Sequence, residues 1–397
     1  MNKKVDWSEE LSPDEWLALF VQAEAHHVLP LIFEAVCGCA AAGRASEALF
    51  VRFRQRTVSQ VVQQTVRTHD FLRLNEALRA RGLRPLAVKG IICRALYPNP
   101  DCRPSGDEDV LIGREAFEAC SRAMCEAGME SAGSASEASD SYEVPYRKPG
   151  SPLYIELHKE LFSSDSEAYG DLNRFFEDAL DNGVELEIQG TPVLTMEPTQ
   201  HLLYLICHAF KHFMHSGFGI RQICDIALFA RHYGESLRWD YLMDCCREIH
   251  AEYFALALFR IGRIRLGVDI ELPAAWETMP ESEVDELPLL EDVLAGGIYG
   301  SSSRGRLHSS TVTLDAVSAD KRGRRATPLL KSLFPSAKYL AGRYPYLKRY
   351  PALLPLAWAQ RVLHYRREMA AAKTGRSSSL EIGKARVALM RAYRIIR

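Results

Sequence analysis

The spacing of apolar residues predicts two helical regions with a small sheet between them in the chain. From Pro13 to Arg81 apolar residues recur at three- and four-residue intervals, the period of an amphipathic helix, and the longest predicted helix covers Ser46 to Arg81. From Pro85 to Met196 short apolar runs alternate with turns that contain glycine or proline, which predicts strands. The helical period returns at Glu197. The pattern therefore indicates an α+β fold.

Pattern and composition together divide the chain into five segments. They are an N-terminal helical region (1–82), a sheet-containing domain (83–196), a helical domain (197–294), a flexible linker with glycines and serines (295–320) and a basic C-terminal helical tail with prolines and tyrosines (321–397). Within the second segment, Tyr142–Tyr146 is predicted to pair with Leu153–Leu157, a second hairpin is predicted to turn at Gln189-Gly190, and Asp171–Leu180 is predicted to be a helix.

Three carboxylates in the sheet-containing segment are candidate ligands for a divalent cation. Asp107 and Asp109 stand at the start of a predicted strand, and Glu156 lies within another. Side chains two residues apart on a strand point to the same face of the sheet. The turn Lys89-Gly90 precedes them, and a glycine there allows the backbone to approach a ligand closely. Carboxylates beside a lysine and a glycine turn indicate a site for a divalent cation and a polyphosphate.

The order of these motifs resembles that of the polymerase-β-like nucleotidyltransferases, and within them a poorly characterised bacterial family. The resemblance covers most of the chain, from about Trp16 to Trp358. The residue between the two aspartates is usually apolar in that family, whereas this chain has Glu108. The matching residues are Lys89-Gly90, Tyr97-Pro98, Arg103, Asp107, Asp109, Glu156-Leu157-His158, His208, Lys211-His212, Arg221 and Asp225.

The resemblance implies a fold, an activity and a set of site residues. The implied fold is α+β: a polymerase-β-like nucleotidyltransferase palm, a small mixed sheet with helices, over residues 83–196, flanked by N-terminal and C-terminal helical regions. Residues 197–294 would complete the nucleotide pocket. The implied activity is transfer of a nucleoside monophosphate from a nucleoside triphosphate, such as ATP, to an acceptor hydroxyl that the sequence does not identify. The implied ligands of Mg²⁺ or Mn²⁺ are Asp107, Asp109 and Glu156, and the implied nucleotide-binding residues are Lys89, Gly90, Arg103, Ser105, Lys211 and Arg221.

Two other classes of function stay open. Glycosyltransferases also use an Asp-x-Asp triplet to bind a metal and a sugar nucleotide, but they require alternating strands and helices before the triplet, and here the first eighty residues have only the helical pattern. A catalytically silent nucleotide-binding or interaction protein of the same fold is the second alternative, because Glu108 departs from the family pattern.

The helical domain carries polar residues whose roles the sequence leaves open. His208 and His212 have the i, i+4 spacing of a helical metal site, but the glutamate of the zinc-protease motif does not lie between them. We expect His208 to be buried, with Lys211 and His212 pointing towards the active site. Arg221 and Asp225 either form an ion pair along one helix or shape the nucleotide pocket.

Charge is distributed very unevenly along the chain. From Lys321 to Arg397 there are 19 Lys and Arg and two acidic residues, whereas the residues before Lys321 have 30 basic and 49 acidic side chains. The tail either folds back onto the acidic body or binds an anionic membrane surface or RNA, and we expect it to be dispensable for cation binding. No apolar run reaches the ~18 residues of a membrane span, and the first ten residues lack the apolar core of a secretory signal. We therefore expect a cytoplasmic protein, with peripheral contact to the inner membrane as one alternative.

Overall fold

The computed structural model describes residues 10–132, 141–278, 284–298, 304–323, 337–340, 344–360 and 378–397. The expectations about the N-terminal residues 1–9 and the tail segments 324–336, 341–343 and 361–377 lie outside these ranges. The helices are α1 (Pro13–Ala25), α2 (Leu29–Val36), α3 (Glu47–Arg79), α4 (Gly90–Arg94), α5 (Phe117–Glu126), α6 (Pro198–His215), α7 (Ile220–Tyr233), α8 (Trp239–Glu248), α9 (Glu252–Arg260), α10 (Ala274–Glu277), α11 (Leu287–Gly296), α12 (Arg304–Lys321), α13 (Ala337–Leu340), α14 (Tyr346–Arg349), a helical stretch over 354–360 and the C-terminal helix (Ser378–Ala392).

The described residues include seven strands: β1 (Leu86–Val88), β2 (Glu108–Leu111), β3 (Glu130–Ser131), β4 (Glu143–Arg147), β5 (Tyr154–His158), β6 (Val184–Ile188) and β7 (Thr191–Thr195). They form one mixed sheet in the order β3-β4-β5-β2-β1-β7-β6. Strand β1 pairs parallel with β7 and antiparallel with β2, and β2 pairs parallel with β5. Both predicted hairpins are confirmed, because β4 pairs with β5 and β6 with β7.

The register of the central strands brings charged positions side by side. Asp109 is the direct partner of Glu156 across the parallel pair β2–β5, and it is also the partner of Val88 across β1–β2. Lys89 directly follows Val88 in the chain, so it lies next to Asp109 in the sheet. On the far side of β5, Glu143 is the register partner of His158. The centre of the sheet thus collects carboxylates, a lysine and a histidine at one level.

The N-terminal helices form a second, smaller core. Trp16 and Phe20 of α1 pack with Phe33 of α2 and Phe53 of α3. The C-terminal half of α3 joins the main core that covers the sheet, where Phe71 is buried. The predicted long helix is thus confirmed as α3, which connects the two cores. The predicted helix over 171–180 is wrong in extent, because only a 3₁₀ turn, Gly170–Phe175, forms there.

The expected flexible linker is largely helical, and the end of the tail packs into the body. Much of the stretch expected as a flexible linker forms α12, and the C-terminal helix packs against it. Met390, Tyr393 and Ile396 are buried in the main core. The physical reason is that these apolar residues are removed from water only when the C-terminal helix packs against the main core, where Arg386 is buried with them. Residues 378–397 therefore fold onto the acidic body, as one of the stated alternatives proposed.

Arg386 and Arg306 connect these C-terminal helices to α6. Arg386 is buried, donates from Nη1 to the carbonyl of His215 (2.9 Å) and donates to the carbonyl of Phe213. Arg306 on α12 donates from Nε to the carbonyl of Ser216 (2.8 Å). The last carbonyls of a helix have no partner within the helix. The two arginines therefore satisfy the C-terminal end of α6.

Within the described ranges, no helix is both long enough and apolar enough to cross a membrane.

Replacement of Arg386 by methionine tests whether the C-terminal helix is part of the body. We expect Arg386→Met to lower the free energy of unfolding by about 3 kcal/mol, because the carbonyls at the end of α6 lose a buried charged donor. Arg391→Met is the matched control, since Arg391 lies on the same helix and is exposed; it should change stability by less than about 0.5 kcal/mol. Chemical denaturation measures both. Equal stability of the two variants would contradict the proposed packing.

Candidate functional site

The site is built around the turn between β1 and α4. Lys89 has a positive φ of 59°, a conformation that is uncommon for residues other than glycine. Its backbone N–H donates to Nε2 of His201 on α6 (3.0 Å). Burial lowers the pKa of His201 to about 3, so this nitrogen is available as an acceptor. Helix α6 thus holds the turn in its unusual conformation.

The side chain of Lys89 connects α6 to the sheet. Its ammonium lies 2.6 Å from Oδ2 of Asp109 and 3.4 Å from Nε2 of His208. The other carboxylate oxygen of Asp109, Oδ1, lies 3.3 Å from Nε2 of His158. Burial alone would raise the pKa of Asp109, but Lys89 and His158 hold it well below its usual range. Asp109 is therefore a buried, ionised carboxylate.

Glu156 lies beside Asp109, but its pKa is raised, whereas that of Asp109 is lowered. Burial, together with the negative charges of Asp109 and Asp107, raises the pKa of Glu156 to about 8. In the absence of a cation its carboxyl group is thus held mainly in the neutral form at pH 7. Two carboxyl groups this close together are both ionised only when a positive charge compensates their mutual repulsion. A divalent cation would supply that charge.

The donor atoms of this site suit a metal ion. One donor atom each from Asp109, Glu156 and His158 lies within 4.8 Å of the others. Within the part of the chain that the structure describes, no other group of three or more His, Cys, Asp or Glu side chains is arranged to hold an ion. Asp107 is half-buried directly before β2, close enough for its charge to act on Glu156. The chemistry of the donors therefore fits the cation that the sequence predicts.

Basic and aromatic groups on and near α6 border the carboxylates. Lys211 is half-buried, and its ammonium lies 5.7 Å from the ring centre of Tyr142 and 5.8 Å from that of Tyr169. Burial lowers the pKa of Lys211, while the charges of nearby carboxylates oppose this effect. His208 is buried, as expected, and its Nε2 lies 3.2 Å from Nε2 of His212. Lys211 and His212, which we expected to point towards the active site, thus lie close enough to the carboxylates to be affected by the charge of Asp109.

Arg103 and Arg221 contact the scaffold of the site. The Arg103 guanidinium is buried and forms two hydrogen bonds to Asp225, from Nε to Oδ1 (3.0 Å) and from Nη2 to Oδ2 (2.5 Å). Its Nη1 lies 3.4 Å from the carbonyl of Gly90. Arg221 is also buried and donates to the carbonyl of Pro104. Asp225 therefore pairs with Arg103, not with Arg221 as the spacing along the helix suggested.

Glu108, the departure from the family pattern, is buried beneath α4. Its Oε2 accepts the backbone N–H of Ile91 (2.7 Å), and its Oε1 accepts from Nη2 of Arg94 (2.6 Å). A Cβ atom on Gly90 would lie 2.0 Å from Oε2 of Glu108. Any larger residue at position 90 would therefore displace the buried carboxylate of Glu108. That Gly90 also lets a ligand approach the backbone closely stays a prediction.

Ser105 belongs to the same buried network. Its N–H donates to Oε1 of Gln64 (2.8 Å), and its hydroxyl donates to Oε1 of Glu108 (3.1 Å). Its carbonyl accepts from Arg67. Gln64 and Arg67 lie on α3, so the long N-terminal helix fixes the loop that leads to Asp107.

Comparison with known proteins identifies the family. The model of a family described as uncharacterised nucleotidyltransferase matches residues 12–267, which is more than half of the chain. The chain belongs to this family. No curated protein matches it. Among solved structures, it is similar to an antigenic nucleotidyltransferase-like protein from Paracoccidioides brasiliensis, with 14% sequence identity, a TM-score of 0.33, and coverage of 55% of this chain and 98% of that one.

Three residues near the carboxylates were not among the predicted cation or nucleotide ligands: His158, which the family pattern includes, Glu143 and His201. His158 occupies the same face of β5 as Glu156, and the alternation of Tyr154, Glu156 and His158 was a signal for it. Glu143 lies opposite His158 on β4. The sequence predicted that the two strands pair, but not the register that places these two residues opposite each other. His201 supports the Lys89 turn from α6, and nothing in its local pattern distinguished it from a core residue.

The Glu108–Arg94 pair can be tested by a double-mutant cycle. We expect Glu108→Leu alone to destabilise the protein by about 3–5 kcal/mol, because Arg94 is then buried without its carboxylate. The double variant Glu108→Leu/Arg94→Leu should recover most of this loss, since an apolar pair replaces the ion pair. Denaturant unfolding of the four proteins measures the coupling. If the effects of Glu108→Leu and Arg94→Leu simply add, the ion pair with Arg94 is not the reason why Glu108 is tolerated in the core.

Proposed function

We propose that this protein is a cation-dependent nucleotidyltransferase that moves a nucleoside monophosphate from a nucleoside triphosphate to an acceptor hydroxyl. The acceptor oxygen bonds to the α-phosphate, the bond from the α-phosphate to the β-phosphate breaks, and pyrophosphate and the hydroxyl proton leave. One observation carries the proposal: in a chain of this family, Asp109 and Glu156 are neighbours on parallel strands, beside the buried ammonium of Lys89. The family match and the helices that precede β1 support this activity over the glycosyltransferase alternative.

The cation, Mg²⁺ or Mn²⁺, would be held by Asp107, Asp109 and Glu156. When bound, it would stabilise negative charge on the α-phosphate and lower the pKa of the acceptor hydroxyl. The protein supplies the two strands that keep the carboxylates adjacent. It also supplies Lys89, whose position is fixed by two histidines of α6.

The lysines provide the positive charge that a triphosphate needs. Lys89 and Lys211 both lie near the carboxylates, and we propose that their ammonium groups neutralise the phosphates. Tyr142 and Tyr169 flank Lys211, so they offer aromatic surface next to the proposed phosphates.

The other predicted nucleotide-binding residues act indirectly in this proposal. Arg103 contacts the carbonyl of Gly90, so it would stabilise the turn that contains Lys89. Arg221 and Ser105 hold the loop before Asp107 through their contacts with Pro104 and the buried network of α3. These three residues would then influence catalysis by positioning Lys89 and Asp107.

The described part of the tail offers a surface for a peripheral contact. Tyr350, Leu353 and Leu356 are exposed next to Arg349, the combination of apolar, aromatic and basic groups that an anionic membrane surface attracts. We therefore propose a cytoplasmic enzyme with peripheral membrane contact through residues 344–360.

Replacement of Asp107 by asparagine tests the proposed activity. The protein is incubated with a panel of α-³²P-labelled nucleoside triphosphates, Mg²⁺ or Mn²⁺, and a cell extract that supplies acceptors. We expect Asp107→Asn to lower label transfer by a hundredfold or more, roughly the effect of several kcal/mol of lost charge stabilisation, without changing the unfolding midpoint.

Asp181→Asn serves as the control, because Asp181 is exposed in a turn outside the site. It should transfer label like the wild type. Undiminished transfer by Asp107→Asn would overturn the proposed function, and absence of transfer by the wild type with every triphosphate would favour a silent member of the family.

A further inference from the structure

His158 is the nitrogen donor of the carboxylate cluster. It is buried at the end of β5, and its Nε2 lies 3.3 Å from Oδ1 of Asp109 and 3.9 Å from Oε2 of Glu156. One ring nitrogen therefore faces both carboxylates at once. A single cation between these three groups would take an oxygen from each acid and a nitrogen from the histidine.

The other ring nitrogen of His158 faces a fourth acidic residue. Its Nδ1 lies 3.5 Å from Oε2 of Glu143, the register partner of His158 on β4. Metal-binding histidines usually donate their second N–H to a carboxylate or carbonyl, which fixes the ring and strengthens the ligand. The ring of Tyr142, with its centre 6.1 Å from that of His158, packs on the same side. Glu143 thus stands where an orienting partner of a metal-binding histidine is expected.

We propose that His158 binds the cation through Nε2 together with Asp109 and Glu156, that Glu143 orients it, and that the site consequently prefers first-row transition cations such as Mn²⁺ to Mg²⁺. This inference rests on the cation site of the proposed function and adds a ligand and a selectivity to it. The reason is chemical: Mg²⁺ favours a shell of oxygen ligands, whereas imidazole nitrogen binds transition cations better.

The bound cation can be examined directly by pulsed electron paramagnetic resonance of Mn²⁺. We expect the wild-type protein to bind Mn²⁺ and to give the ¹⁴N modulation of a directly coordinated imidazole. His158→Gln should lose this modulation and should lower the preference for Mn²⁺ over Mg²⁺, measured by competition, by about tenfold or more. Glu143→Gln should keep the modulation and weaken Mn²⁺ binding about 10–100-fold. His69→Gln, at an exposed position on α3, should behave like the wild type.

Each alternative result has a distinct meaning. Binding of Mn²⁺ by the wild type without ¹⁴N modulation would overturn the inference, leaving a site of oxygen donors and the proposed function intact. Failure of Mn²⁺ to bind with or without nucleoside triphosphate would overturn the cation site itself. If His158→Gln does not fold, His208→Gln decides: modulation that survives there supports His158, and modulation that disappears transfers the role to His208 and overturns the inference.

Discussion

The central physical constraint of this structure is the repulsion between two carboxyl groups held side by side. Asp109 and Glu156 are register partners on adjacent parallel strands, so the backbone hydrogen bonds of the sheet prevent them from moving apart. Asp109 keeps its charge because Lys89 and His158 compensate it, and burial beside that charge raises the pKa of Glu156 to about 8. The fold thus maintains an arrangement that a divalent cation would relieve. Electrostatic cost of this kind is common at functional sites.

Helix α6 connects this constraint to the rest of the chain. It carries His201, which binds the backbone of Lys89, and His208, which contacts the ammonium of the same residue. The opposite end of the helix is capped by Arg306 and Arg386, which lie beyond the family-matched residues 12–267. The C-terminal helices, which the sequence left as either folded onto the body or bound to an anionic partner, therefore support the helix that positions Lys89.

The sequence was informative where function depends on local pattern. Strand alternation predicted that Glu156 and the Asp-x-Asp aspartates share a face, and turn residues predicted both hairpins. It was less informative where partners are distant in the chain. Arg103 pairs with Asp225 through the tertiary fold, and Glu108 is accommodated by Arg94 and the small size of Gly90. Periodicity cannot reveal such pairs, because they depend on how α4 and α7 pack around β2. The same limit hid the burial of Arg386, which looked like one more charge of a basic tail.

Crystals grown with Mn²⁺ and a non-hydrolysable nucleoside triphosphate provide the most direct measurement, with diffraction recorded at the manganese absorption edge. We predict an anomalous peak about 2.2 Å from carboxylate oxygens of Asp109 and Glu156, with the triphosphate directed towards Lys89. An anomalous peak elsewhere, or bound nucleotide with no manganese between these two carboxylates, would contradict the assignment of this cluster as the catalytic centre.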